Sequence, residues 1–319
     1  MKTPKKIDLA NIPTPVRKIA FNGCSFYIKR DDYTGTELSG NKIRKLEYLL
    51  YDAKKQGADY VFTSGGEQSN HARATAIAAA SVGIKSKLFL WGKERKNYDG
   101  NLFLDKMVNS EIIFLNLKEY QSLEKFIAKE KAKLEKKGKK VYVIPEGGSS
   151  ALGIWGYINF VKELKEQLGE KRIKGILIAA GSGGTTAGML LGLHLYNLNF
   201  KLFAVNVLHT AEFMTEKIRR LADECNDKYK ITRKIDYSRF EVIGGFSEEG
   251  YKHIAPEKVK LIKEFANQTG IILDPAYTGK AFYAYNELFL KGKKTSSVMF
   301  LHTGGLFGAF AKRKNYLGN

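Results

Sequence analysis

Only two of the 319 residues are cysteine, Cys24 and Cys225, and they lie far apart and outside any CxxC pair. A disulfide framework and a thiolate zinc site are therefore not expected. The five histidines, His71, His194, His209, His253 and His302, show no HExxH or similar spacing, so no metal is expected either. No GxSxG turn marks a hydrolase nucleophile. No apolar run approaches the ~20 residues that a membrane helix needs. The opening MKTPKKIDLANIPTPV lacks the apolar centre of a secretory signal. The expectation is a cytoplasmic protein with no membrane partner. Internal repeats and low-complexity linkers are also missing.

Negative charge is in short supply. Lys and Arg number 53 against 33 Asp and Glu, a net +20. Such a surplus raises nucleic acid as a partner. The basic residues are mostly lysine, however, and are spread along the whole chain. The densest run, AKEKAKLEKKGKK at 128–140, is interleaved with glutamate and fits the end of a solvated helix. No nucleic-acid partner is expected, and a positive field suits an anionic cofactor and substrate.

Alternation is plentiful. Short runs rich in Val, Ile, Leu and Phe lie at 25–30, 60–63, 87–90, 112–115, 141–144, 176–180, 202–207 and 298–302. Consecutive apolar positions mark strands buried on both faces, and hence parallel sheets. Helical patterns fall between them, at 42–56, 70–82, 151–168 and 256–269, the last behind a proline suited to a first helical turn. The class is α/β. The stretch 223–250 fits no regular element.

In open α/β sheets, ligands gather where strands end. After 60–63 comes SGGEQSNHARATA (64–76), a tight turn that puts Gln68, Ser69, Asn70 and His71 at a helix start. One cap residue would suffice there; four polar residues suit a carboxylate or an oxyanion. After 176–180 comes GSGGTTAGM (181–189), whose hydroxyls and glycine N–H groups suit a phosphate. It is neither a Walker A loop nor GxGxxG. PEGGSSALGIWGY (145–157) either shapes a site or caps a helix. DPAYTGKA (274–281) and HTGGLFG (302–308) complete the group. The stretch LSGNKIRKLEYLL (38–50) places Lys42, Arg44 and Lys45 after two small residues, and alone it permits a working lysine or surface cations. A lysine near a phosphate cradle points to a phosphate-bearing aldehyde cofactor held as a Schiff base.

SGNKIRKLEYLL, GGEQSNHARATA, GSGGTTAGM, LDPAYTGKA and HTGG, in that order, resemble the 1-aminocyclopropane-1-carboxylate deaminase and D-cysteine desulfhydrase family. The likeness runs from about Ile12 to Gly308. It implies pyridoxal 5'-phosphate and the tryptophan synthase β-like fold (fold type II): two open, twisted, mostly parallel-sheet domains with the cofactor between them. The large domain would take residues 1–47 and 154–319, the small one 48–153. A homodimer is expected. The family's Schiff-base lysine falls on Lys42, and a phosphate-binding residue on Lys45, on the same helix face. Asn70 matches the partner of the cofactor's phenolic oxygen. Gly181, Ser182, Gly183, Gly184 and Thr185 match the phosphate cradle, and Thr303 lies where the family approaches the pyridine ring. Gln68, Ser69 and Asn70 with the adjoining N–H groups match the holder of the substrate carboxylate. Ser69 and Tyr277 match catalytic residues beside Lys42, and Tyr251, Tyr277 and Thr278 match substrate neighbours.

Two departures stand out. Thr278 replaces a glutamate found in the deaminases, as in the desulfhydrase branch; a neutral group leaves the ring less electron-withdrawing, which suits loss of a thiol better than opening of a cyclopropane. GGFSEEGYKH (244–253) is longer than the family's glycine–tyrosine turn before Tyr251. The expected activity is elimination from D-cysteine or a related small amino acid to pyruvate, ammonia and sulfide. The alternatives are 1-aminocyclopropane-1-carboxylate deaminase, another family activity such as L-cysteate sulfo-lyase, and a non-catalytic binder of cofactor or amino acid.

Overall fold

The computed structural model describes residues 3–94, 98–251 and 253–317. Its strands are β1 (Val16–Phe21), β2 (Cys24–Arg30), β3 (Tyr60–Gly66), β4 (Lys85–Trp91), β5 (Glu111–Leu115), β6 (Val141–Val143), β7 (Gly175–Ala180), β8 (Lys201–Asn206), β9 (Phe240–Ile243) and β10 (Val298–His302). Its helices are α1 (Lys42–Lys55), α2 (Asn70–Ser81), α3 (Gly100–Met107), α4 (Leu117–Tyr120), α5 (Leu123–Glu135), α6 (Trp155–Leu168), α7 (Gly184–Leu195), α8 (Ala211–Tyr229), α9 (Pro256–Thr269), α10 (Thr278–Tyr285), α11 (Leu306–Ala311) and α12 (Arg313–Leu317).

Two sheets form, one of order β1-β2-β10-β7-β8-β9 and one of order β5-β4-β3-β6. The wholly apolar strands lie inside them. β7 and β10 are buried at every position, which requires cover on both faces. On one face Ile176 and Ile178 of β7 meet α6, α7 and α8 through Trp155, Phe160, Leu190 and Ile218. On the other, Leu177 and Ala179 meet α9 and α10 through Phe265, Phe282 and Tyr285. In the smaller sheet, Val61 packs against α1 and α2, while Phe62 faces Phe89 and the partly buried side of α5.

All strand pairs are parallel except β1 with β2. The sheets are thus mostly parallel, as expected, with one antiparallel hairpin at the edge. β1 is a mostly solvent-facing edge strand, VRKIAF, so it carries no apolar run. Its turn is Asn22-Gly23, with φ of 48° and 77°, the two-residue sequence that favours tight hairpins.

The stretch 223–250 is also more regular than expected. α8 extends into it as far as Tyr229, burying Met214, Ile218, Leu221, Ala222 and Cys225 at helical spacing. β9 then adds to β8 as a four-residue parallel strand. In contrast, the helix expected from residue 151 begins only at Trp155, because residues 151–154 form turns.

Candidate active site

The loops that follow β3, β6, β7 and β10 meet the first turns of α1, α2 and α7 around a cavity of about 550 Å³. Its wall takes residues from both sheets, Ser69, Asn70 and Glu146 from one side and Gly181, Ser182 and Thr303 from the other. Of the expected site residues, Lys42, Ser69, Asn70, Gly181, Ser182, Tyr277 and Thr303 line it directly.

Lys42 is the first residue of α1. Burial lowers its pKa to about 8; Glu146 opposes that shift and Lys217 adds to it. One helical turn on, Lys45 is wholly buried. Among the described residues, its ammonium donates only to Gly147 O at 3.2 Å and Ser149 Oγ at 3.3 Å. Burial, with Lys42 and Lys217 nearby, drives its pKa well below the ordinary lysine value, and no carboxylate opposes the shift. Burying such a charge costs several kcal/mol unless an anion pairs with it.

The surroundings of Lys45 are built for that anion. Ser149 Oγ lies 2.8 Å from Ser182 Oγ. Gly183, at φ 79°, leads into α7, whose first N–H groups have no partner within the helix. A side chain at Gly184 would put its Cβ 2.4 Å from Ser149 Oγ and 2.8 Å from Lys45 Nζ, so only glycine leaves the space open. Thr185 Oγ1 accepts from Asn41 Nδ2 at 3.1 Å, and Asn41 N donates to Thr303 O at 3.1 Å. Asn41 thereby fixes the start of α1 to the loops after β7 and β10. A buried, unpaired cation, two hydroxyls and a helix N-terminus fit a phosphate group.

Across the cavity, Ser69 caps α2, its Oγ accepting from Ala72 N at 3.2 Å. It also lines the cavity, so capping and a site role coexist. Asn70 Oδ1 accepts from Asn101 Nδ2 at 3.0 Å, which leaves Asn70 Nδ2 for the cavity. The Gln68 amide donates to Asp99 O at 2.9 Å and accepts from Asn101 N at 2.9 Å. The Gln68 side chain thus braces the start of α3, while the residue borders a neighbouring pocket with Asn70, Tyr251 and Tyr277.

Tyr277 and Tyr251 stand edge to face with ring centroids 5.7 Å apart. Burial pushes Tyr251 up to about 12 and holds Tyr277 well above the ordinary tyrosine range, so both keep their protons. Tyr251 lies against Gly66, where a Cβ would come within 3.0 Å of its ring. The long turn before it is pinned by two lysines. Lys258 Nζ donates to both Glu249 oxygens at 2.8 Å and to Phe246 O at 2.7 Å, and Lys280 Nζ donates to Gly250 O at 2.6 Å. The length of that turn therefore does not keep Tyr251 from the site.

Thr278, expected as a substrate neighbour, lies behind the cavity wall. It is wholly buried, and its hydroxyl donates to Asp274 Oδ1 at 2.6 Å while accepting from Asp274 N at 2.9 Å. It is absent from the cavity wall. Asp274 also accepts from the N–H groups of Ala276, Tyr277 and Thr278, so Thr278 belongs to the buried turn that positions Tyr277.

Asn41, Glu146, Ser149 and Lys217 near the site have no individual role read from the sequence, and His71 has only its place in the polar run at the start of α2. Asn41 and His71 lie inside recognised motifs. His71 lines the cavity, with Nε2 at 2.8 Å from Thr63 Oγ1; burial holds its pKa well below the usual value, so it is neutral. Glu146 sits in PEGG, legible only as a glycine turn. Lys217 lies inside α8 and carries no local signal.

A family model described as pyridoxal-phosphate dependent enzyme matches residues 7–304. A Thermotoga maritima protein, provisionally named a 1-aminocyclopropane-1-carboxylate deaminase, is 43% identical across 97% of this chain and 99% of its own length. An Arabidopsis thaliana protein named bifunctional D-cysteine desulfhydrase/1-aminocyclopropane-1-carboxylate deaminase, mitochondrial, is 38% identical across 95% of this chain and 79% of its own. A solved structure described as that of an ACC deaminase homologue superposes with a TM-score of 0.89 at 38% identity, covering 99% of this chain and 96% of that one.

Proposed function

The chain belongs to the pyridoxal-phosphate-dependent enzymes of the 1-aminocyclopropane-1-carboxylate deaminase and D-cysteine desulfhydrase family, and from that membership we propose that it eliminates the β-substituent of D-cysteine or a related small amino acid, releasing pyruvate, ammonia and sulfide. One observation carries the assignment of the site. Lys42, with its lowered pKa, faces a cavity bounded by the unpaired Lys45 cradle on one side and the polar start of α2 on the other.

In this proposal Lys45, Ser149, Ser182 and the first N–H groups of α7 hold the cofactor phosphate. Lys42 holds the aldehyde end, Asn70 Nδ2 meets the phenolic oxygen and Thr303 lies by the ring. The cofactor supplies an electron-withdrawing ring that accommodates the pair left at Cα. Ser69 and the N–H groups at the start of α2 hold the substrate carboxylate. The freed Lys42 amine takes the Cα proton. At a pKa of about 8, about a tenth of it is neutral at pH 7, against roughly one part in three thousand for an ordinary lysine. The hydroxyl of Ser69 or Tyr277 relays a proton beside it, help worth ~10²–10⁴-fold. The division into residues 1–47 with 154–319 and residues 48–153, and assembly as a homodimer, are parts of the same proposal.

The D-cysteine reading draws on the sequence contrast at Thr278, where deaminases carry glutamate: what favours a good leaving group is the lack of a carboxylate there, and the Thr278 hydroxyl itself is turned to Asp274. The names of the Thermotoga protein and of the solved structure favour the second reading, deamination of 1-aminocyclopropane-1-carboxylate to 2-oxobutanoate and ammonia. An absorbance spectrum of the cofactor-loaded protein separates the two. The D-cysteine reading expects a visible band that changes with D-cysteine, together with pyruvate and sulfide. A band that responds only to the cyclopropane, with 2-oxobutanoate formed, rejects that reading. No band after adding pyridoxal phosphate rejects the assignment of Lys42.

A further inference from the structure

Loss of a poor leaving group needs a proton for the departing atom as well as a base at Cα, and no residue so far described has that task. Among the described residues, Glu146 is the sole carboxyl group in the cavity wall. It opens the short turn after β6, which is closed by Gly148 N donating to Pro145 O at 2.8 Å. Ionisable groups face it from every side. Lys42 approaches from α1 and Lys217 from α8. The hydroxyl of Tyr120, at the end of α4, lies 3.5 Å from Oε2. Tyr251 and Tyr277 sense its charge from the opposite wall. Glu146 is exposed as a residue, while protein atoms crowd its carboxyl group. That desolvation raises its pKa, against the pull of Lys217 and Lys42.

The rival donors are weaker on chemical grounds. His71 is neutral and its Nε2 is engaged by Thr63. Tyr251 and Tyr277 are held above their usual acidity range. Lys42, as the ammonium formed by taking the Cα proton, is the exception; if it served, Glu146→Gln would change turnover of none of the three substrates below. We propose that Glu146 is the acid that protonates the leaving group, an inference that rests on the elimination reading above. As the bond from Cβ to the leaving atom breaks, its electron pair goes to that atom, and the Glu146 O–H proton moves there too. The pair from the broken Cα–H bond forms the new Cα–Cβ double bond, and the proton from Cα stays on Lys42. Water at the cavity mouth returns the proton to Glu146.

The test compares Glu146→Gln with the wild type, both loaded with pyridoxal phosphate, on 3-chloro-D-alanine, D-cysteine and D-serine. Chloride needs no proton, while a thiol and water have pKa values of about 8.5 and 15.7. The expected loss in kcat grows along that series, from within roughly threefold for chloride to about 100-fold or more for hydroxide, the scale of a lost general acid. The cofactor absorbance band stays unchanged before substrate is added. Equal losses on all three substrates, no loss on any, or a lost band would each overturn the proposal, the first and last by giving Glu146 a structural role. If the wild type forms no pyruvate even from 3-chloro-D-alanine, the elimination reading itself fails and the role of Glu146 falls with it.

Discussion

Replacing Lys42 by methionine removes an ammonium that the folded protein holds against its solvation preference. The native pKa is about 8, against 10.5 for an ordinary lysine. At ~1.4 kcal/mol per pKa unit, that difference is about 3 kcal/mol. The direction follows from proton counting. Below pH 8 both folded and unfolded chains carry the proton, and the folded state bears the whole cost of burying it. Between pH 8 and 10.5 the unfolded lysine stays protonated while the folded one loses its proton, so wild-type stability rises with pH and the cost disappears. Methionine fills similar space with no charge to bury, and its removal of one cation also relieves Lys45, which Lys42 repels. In the cofactor-free protein, Lys42→Met is therefore expected to be more stable than the wild type by up to about 3 kcal/mol at pH 7. The gap should close towards pH 10.5. Urea unfolding of both proteins at several pH values measures it, and the same variant should lose covalent cofactor and turnover. A methionine variant less stable than wild type at pH 7, or a gap that does not change with pH, would refute the claim that Lys42 is held at a cost for its chemistry.

Lys45→Met should weaken pyridoxal phosphate binding by about 150- to 5,000-fold, the 3–5 kcal/mol typical of breaking a buried charge pair, without destabilising the cofactor-free protein; absorbance titration and thermal melts read the two effects separately. Ser69→Ala removes the cap of α2 and should cost about 0.5–2 kcal/mol of stability in urea unfolding, together with a larger fall in kcat than the loss of a cap explains. Thr278→Val leaves Asp274 without its hydroxyl partner and should cost about 1–3 kcal/mol. Because Thr278 is outside the cavity wall, its effect on KM should be small; a large rise in KM with unchanged stability would restore it as a substrate contact.

What could be read from the chain depended on whether the information was local. Parallel strands such as β7 and β10 announce themselves because cover on both faces demands unbroken apolar runs. β1 has one face in solvent and was missed, although its Asn-Gly turn was in plain view. α8 was missed because its apolar stripe is diluted by charge. At the site, glycine loops located the cavity, since backbone approach to a ligand leaves a mark in composition. The direction of a side chain leaves none. Gln68 and Asn70 are two residues apart in one polar run, yet the Gln68 amide is engaged with Asp99 and Asn101, while Asn70 keeps one donor for the cavity. Thr278 follows Tyr277 directly but bonds inward to Asp274.

Lysine is so common here that its presence says nothing by itself, and burial alone does not separate a working lysine from a structural one. Lys29, Lys258 and Lys280 are as hidden from solvent as Lys45. What differs is the partner. Lys29 has Glu163, Lys258 has Glu249, and Lys280 has Gly250 O with Glu249 beyond it. Each of those charges is matched within the fold, as a buried cation must be if it is only to hold elements together. Lys45 has two neutral acceptors and two cations for company. A buried lysine left unmatched, beside a glycine whose Cβ would close the space, either sheds its proton or takes its negative charge from outside the chain. That makes the phosphate end of the site the part that the chain's own chemistry requires, and it is why loading with the cofactor should raise the melting temperature of the wild type far more than that of Lys45→Met.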